Sequence, residues 1–238
     1  IVFNSSHVFG FFSVFNPDVI KDVKLFKGGI PSKYGGRLSS VLDIYQKEGN
    51  NKDFKLTGGI GLISSRILAE GPLKKEKSSF LIGGRSSYAH LFLPLIDNDN
   101  KAYFYDLNTK VNFRLNKKNN IFLSAYFGKD VFGINNSFIN KYGNAVTNIR
   151  WNHLYSDKLF SNLSLIYSDY FYGLILDFVG FEWDSGITNV NFKYDFNHYL
   201  KDNLKLSYGV NNIYTKFNAG EIFPNRDDSG IIPFKLTE

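Results

Sequence analysis

Residues 105–115 alternate strictly between apolar and polar side chains. Tyr105, Leu107, Thr109, Val111, Phe113 and Leu115 take the odd positions, and Asp106, Asn108, Lys110, Asn112 and Arg114 the even ones. A β-strand turns successive side chains to opposite faces, so this segment is predicted to carry one apolar and one polar face. Residues 188–196 repeat the pattern, with Thr188, Val190, Phe192, Tyr194 and Phe196 against Asn189, Asn191, Lys193 and Asp195. Weaker versions run through residues 54–62, 78–88, 121–127, 147–155, 159–171 and 204–214, with a short one at 66–71. Together they predict about nine strands, several near the ~10-residue length of membrane-spanning strands. Helical periodicity is nearly absent, so the predicted fold class is all-β.

The predicted connections alternate in length. Residues 116–120, 156–158 and 200–203 read as short polar turns, while 90–104, 133–146, 173–186 and the tail from Phe217 read as long loops. Up-and-down membrane barrels show this asymmetry, with short turns on the periplasmic side and long loops outside. Alternation alone does not say which face is buried: a soluble sandwich packs its apolar face inward, whereas a membrane barrel turns it toward lipid. Aromatic residues at predicted strand ends (Tyr105, Phe127, Tyr155, Phe171, Tyr172, Tyr194 and Tyr199) favour the membrane arrangement, in which aromatic girdles sit at both interfaces.

Before about residue 50 the chain has another character. Short apolar runs (residues 23–26 and 41–45) are separated by turn signals at Asn16-Pro17-Asp18, Gly28-Gly29, Pro31 and Gly35-Gly36. This predicts a loop-rich β piece with one short helix near residues 17–23, started by Pro17 at its first position. Composition narrows the picture further. The 238 residues are 43% hydrophobic and 17% aromatic, which excludes a disordered chain. No apolar run approaches the ~18 residues of a transmembrane helix. Zero Cys removes disulfides, thiolate metal sites and cysteine nucleophiles. The net charge of +6 is too small to argue for a nucleic-acid partner. With no initiator Met and no leader pattern, the chain reads as an internal piece of something longer.

Residues 7–45 carry a family resemblance. Phe15-Asn16-Pro17-Asp18, Lys27-Gly28-Gly29-Ile30-Pro31 and Tyr34-Gly35-Gly36-Arg37-Leu38-Ser39-Ser40-Val41-Leu42-Asp43-Ile44 follow one another in order. This stretch resembles the C-terminal half of the plug domain of TonB-dependent outer-membrane receptors, in the form of the Bacteroidota-type branch. The likeness continues weakly through Ala69-Glu70-Gly71-Pro72-Leu73 and residues 79–88; beyond about residue 90 only the strand pattern supports it. The resemblance implies that residues 1–50 are the C-terminal part of a plug and that residues 51–238 are the first part of a large antiparallel transmembrane β-barrel. It implies a total of about 22 strands, about 13 of them downstream. It implies a receptor of a Gram-negative outer membrane that imports a scarce nutrient with energy from TonB, with no cofactor and no enzymatic activity. The partners implied are the TonB complex through an upstream segment, outer-membrane lipid, a small nutrient ligand and, as a further option, a surface lipoprotein. A non-transporting barrel in a cell-envelope assembly or adhesion role is the alternative, with an outer-membrane hydrolase or a soluble sandwich behind it.

Candidate chemistry is sparse. His7, His90, His153 and His198 lack metal-ligand spacing and read as isolated interface or loop histidines. No nucleophile elbow or phosphate-binding loop is present, and the Asp227-Asp228 pair has loop-tip composition. Gly35, Gly36 and Arg37 form the most pointed cluster, with Arg37 a candidate bidentate bridge from plug to a lumenal carboxylate, or else a solvated Arg after a Gly turn. Lys110, Arg114, Arg150 and Lys193 fall on polar strand faces as lumen charges or plug contacts.

Overall fold

The computed structural model describes residues 2–36, 39–88, 91, 100–226 and 228–237. Four short strands come first: β1 (Ser6–His7), β2 (Phe12–Ser13), β3 (Ile20–Phe26) and β4 (Val41–Gln46), paired antiparallel as β1 with β2 and β3 with β4. Ten further strands form one antiparallel sheet: β5 (Lys55–Ile60), β6 (Ser64–Lys74), β7 (Ser78–Ser87), β8 (Lys101–Arg114), β9 (Asn119–Ile134), β10 (Phe138–Ser156), β11 (Leu159–Leu176), β12 (Phe181–Lys201), β13 (Leu204–Pro224) and β14 (Phe234–Thr237). Each pairs only with its sequence neighbours, from β5 at one edge to β14 at the other. Such a meander needs only hairpin connections, which antiparallel pairing permits.

All nine predicted strands are present, and β14 is an addition. The main difference lies in length. Strands β9 to β13 run for 16, 19, 18, 21 and 21 residues. Residues 133–146 and 173–186, expected as long loops, are the zipped upper parts of these strands, closed by tight connections. One is a turn in which Ser137 N–H bonds the Ile134 carbonyl; the other is the 3-10 turn Asp177–Val179. Phe132 and Phe138 pack edge-on across the first hairpin. Such cross-strand pairs hold a ladder together without strict alternation, which is why pattern reading stopped short.

The expected helix near residues 17–23 is absent. Pro17, Asp18 and Val19 form a single turn, with Val19 N–H on the Asn16 carbonyl and Asp18 N–H on the Asn16 side chain, and β3 starts at Ile20. The Asn16 side chain diverts the backbone into a local turn, and the β-branched Val19, Ile20 and Val23 suit the strand that follows.

The sheet is polar on its covered face and apolar on its bare one. On β8, Asp106, Asn108 and Lys110 are buried, while Leu107 is 46% exposed and Phe113 40%. Asn144, Ser168, Asn189 and Asn191 are buried in the same way, and Ile149, Leu165, Val190 and Val210 are exposed. A soluble sandwich has the opposite arrangement. An exposed apolar face of this extent needs a non-aqueous surround, and a transmembrane barrel wall supplies it. Rings border this band. At the short-turn end Trp151, His153, Tyr155, Phe196 and Tyr208 form a chain of ring contacts, and Tyr155 and Tyr194 share a hydroxyl hydrogen bond of 2.8 Å. Toward the other end lie Tyr105, Phe127 and Phe171, with Phe171 closing over Gly143. About eight to ten residues of β10 separate the two groups, or roughly 20–25 Å of tilted strand, close to the height of an apolar barrel band.

The N-terminal segment, residues 2–48, packs against the polar face. Its apolar anchor is Val19, which lies with Leu68 and Leu81 in a buried cluster. Gly83 leaves the room: a Cβ there would sit 2.6 Å from Val19 Cγ1. The chain leaves the segment at Gly49, whose φ of +81° and close approach to the Phe80 carbonyl exclude a larger residue.

Candidate functional site

The interface between residues 2–48 and the wall is built on charge. The β1 strand ends at His7, which is 1% exposed. Its Nδ1 lies 2.6 Å from Asp130 Oδ2 on β9 and its Nε2 lies 3.3 Å from Asp106 Oδ2 on β8. The next backbone amide, Val8 N–H, donates to Asp130 Oδ1 at 2.8 Å. From β7, Arg85 donates through Nε to Asp106 at 2.8 Å and through a terminal nitrogen to the Ser13 carbonyl at 2.9 Å. Phe104 stacks on the His7 ring with centroids 4.3 Å apart, and the Tyr126 hydroxyl stands 3.4 Å from Nε2.

Two carboxylates and one guanidinium leave a net negative charge, which a protonated His7 cancels. Both ring nitrogens face carboxylate oxygens, so only the imidazolium donates to each. Burial disfavours the His7 cation, yet the hydrogen bonds and charges of Asp106 and Asp130 outweigh it and raise its pKa above the ordinary 6.5.

A second seam runs along β4 and the residues after it. Gln46 donates to Asn108 at 3.3 Å, Lys110 to the Gln46 carbonyl at 3.1 Å, and Ser79 to the Glu48 carbonyl at 2.6 Å. At the start of the segment, Phe3 N–H donates to Asn144, whose amide donates back to the Asn4 carbonyl. Asp43 accepts the hydroxyls of Tyr34 and Tyr45. Burial chiefly pushes Tyr34 up to about 12, and the Asp43 hydrogen bond chiefly does the same for Tyr45, so both phenols stay protonated donors at neutral pH.

The sequence candidates are placed as follows. Gly35 ends the 3-10 turn Ser32–Tyr34 and lines, with Pro31 and Lys33, a cavity of about 990 Å³ against β12 and β13; Gly36 follows at φ +74°. Arg37, His90 and Asp227 lie outside the described residues. Lys193 donates to the Lys33 carbonyl at 3.0 Å and Lys110 to the Gln46 carbonyl, so both touch the N-terminal segment. Arg150 covers the Phe122 ring at 4.3 Å, whereas Arg114 is exposed near the short-turn end. His153 is bonded to Asn119 at 2.7 Å within the aromatic belt.

His7, read from the sequence as an isolated interface or loop histidine, is not isolated: its partners lie 123 and 99 positions away, so no local spacing reports them. The only signal was an Asp, Asp106, on the polar face of a strongly alternating strand. Among the described residues no group of three or more His, Asp or Glu side chains could hold a metal ion.

No protein-family profile matches the sequence, and no curated protein matches it. The fold does have a counterpart. It superposes on a solved structure, the copper transporter OprC, with a TM-score of 0.67 over 93% of this chain at 12% identity. The chain spans 37% of that protein's length. The likeness is one of fold: the ten-stranded antiparallel sheet corresponds to part of a barrel.

Proposed function

We propose that the chain is part of a TonB-dependent outer-membrane receptor, with residues 1–50 the closing part of its plug and residues 51–238 the first part of its barrel. The observation that supports this best is the way residues 2–48 fill the polar face. They are held by His7, Arg85, Asp106 and Asp130 and by side chain-to-carbonyl hydrogen bonds, with one small apolar cluster. An obturating element that must let go needs such an interface. Hydrogen bonds between polar groups are exchangeable for water, whereas a large apolar core is not. The motif run through Gly35, Gly36 and Arg37, the bare apolar outer face and the fold shared with a transporter support the same reading. In it the cargo is a scarce nutrient, the segment reaching TonB lies upstream, and the protein performs no covalent chemistry.

The test uses a lock. Val19 Cγ1 lies 2.6 Å from the position of a Cβ on Gly83, so with one further C–C bond of about 1.5 Å the two Cβ atoms are at most about 4.1 Å apart, within the reach of a disulfide. Growth of a deletion strain on defined media, each limiting in one nutrient, identifies the cargo. In that medium V19C/G83C is expected to support growth only with reductant present, and collapse of the proton gradient to stop accumulation of the nutrient. Uptake that proceeds through the oxidised lock, or without the gradient, overturns the proposal.

A further inference from the structure

A cavity of about 520 Å³ lies between the N-terminal segment and the wall, beside the His7 network, with which it shares Tyr126, and toward the short-turn end. Asn108 and Lys110 on β8, Phe122 on β9, and Asn148 and Arg150 on β10 line one side of it, and Lys21 and Glu48 the other. Its polar groups are under-used. Asn108 Nδ2, Asn148 Oδ1 and Arg150 Nε are buried and find no hydrogen-bond partner among the described residues. Lys110 is 7% exposed and gives one N–H to the Gln46 carbonyl. The ammonium of Lys110 and the guanidinium of Arg150 both sit over the Phe122 ring, at 5.7 and 4.3 Å, and among the described residues neither has a carboxylate within 4.0 Å.

The nearby acids leave these cations without a direct partner. Asp43 accepts two tyrosine hydroxyls, and Glu48, across the cavity, acts on both cations through charge alone and lies at 3.5 Å from the Asn112 amide. Cations taken out of water are retained where something compensates them. We propose that this cavity binds a small organic carboxylate: Arg150 and Lys110 take the carboxylate, Asn108 adds an N–H, and Phe122 floors the apolar part. A planar guanidinium matches a carboxylate in two-point fashion, and the volume falls within the usual range for small-ligand sites. Under the transporter reading, on which this rests for its biological meaning, the site lies on the path past the plug and gives the cargo class as anionic.

Benzoate and its neutral isostere benzamide are the probes, applied to the purified full-length protein in detergent by titration calorimetry. Benzoate is expected to bind, and benzamide to bind at least about tenfold more weakly, the ratio set by charge-assisted hydrogen bonds. R150Q is expected to lose about 10- to 100-fold for benzoate, and S124F, which fills the cavity with every charge intact, to abolish binding. Equal affinity for the two probes, or R150Q binding benzoate as wild type does, overturns the site; the two-probe comparison needs no variant to fold. Benzoate discrimination without gradient-dependent uptake sinks the transporter reading and leaves the site standing. Gradient-dependent uptake without discrimination does the reverse.

Discussion

His7 is where one proton decides whether a buried cluster is neutral. With Arg85 as a cation and Asp106 and Asp130 as acceptors, the imidazolium donates to both carboxylates and the neutral ring cannot. Its folded pKa is raised above 6.5, so the stabilisation is fully present below about pH 6.5 and is lost as pH rises through the folded value. Docking of residues 2–48 is therefore expected to weaken from mildly acid to alkaline pH, read as a falling protection factor (exchange relative to the free amide at the same pH) at the Val8 amide that Asp130 holds. Replacing His7 with Gln should flatten that profile. His7→Ala, which leaves two buried carboxylates to one guanidinium, is expected to loosen the segment by about 3 kcal/mol, measured by its thermal release. An unchanged protection factor across that pH range would mean that the His7 contacts do not hold the segment.

Between the two groups of rings, β8 to β13 obey one rule: alternate side chains face either the polar side of the sheet or its bare apolar side. Leu165→Arg on β11, on the bare face, is expected to cost about 2–4 kcal/mol in denaturation from lipid vesicles. Asn162→Lys, on the opposite face beside the larger cavity, should stay within about 0.5 kcal/mol. Equal penalties at the two sites would refute the assignment of faces. This two-faced pattern made the fold legible: Leu107, Val111 and Phe113 against Asp106, Asn108 and Lys110 announced a strand from the sequence alone. What alternation could not give was how far each strand continues. In residues 133–146 and 173–186 the polar and aromatic residues lose their strict order, and cross-strand contacts such as Tyr172 against Trp183 hold the ladder instead. Strand β14 does alternate, and was hidden by its length of four residues directly after Pro233. The interface was less legible still, because His7 meets Asp130 only after the meander has brought β8 and β9 beneath it, and nothing beside His7 in sequence marks the meeting.

At the scale of the whole molecule, the N-terminal segment meets the wall through polar seams and through one close apolar fit at Val19. Gly83→Ala places a methyl into Val19 Cγ1, a β-branched side chain that is 1% exposed and has little freedom to move. Docking should weaken by about 1–3 kcal/mol, seen as earlier proteolysis within residues 2–48 while the sheet stays resistant. Adding Val19→Ala in the same protein should recover part of the loss by reopening the space. A G83A protein as protease-resistant as wild type would place the anchor elsewhere. The charge balance around His7 carries a further consequence. If the segment leaves the wall, Asp106 and Asp130 pass into water with Arg85, and His7 returns to the acidity of an ordinary imidazole. Near neutral pH each departure then sheds up to one proton and each return collects it. Calorimetry of the docking step in buffers of different ionisation heat would read that stoichiometry directly, making opening and closing of this interface a reaction with hydrogen ions among its products and reactants.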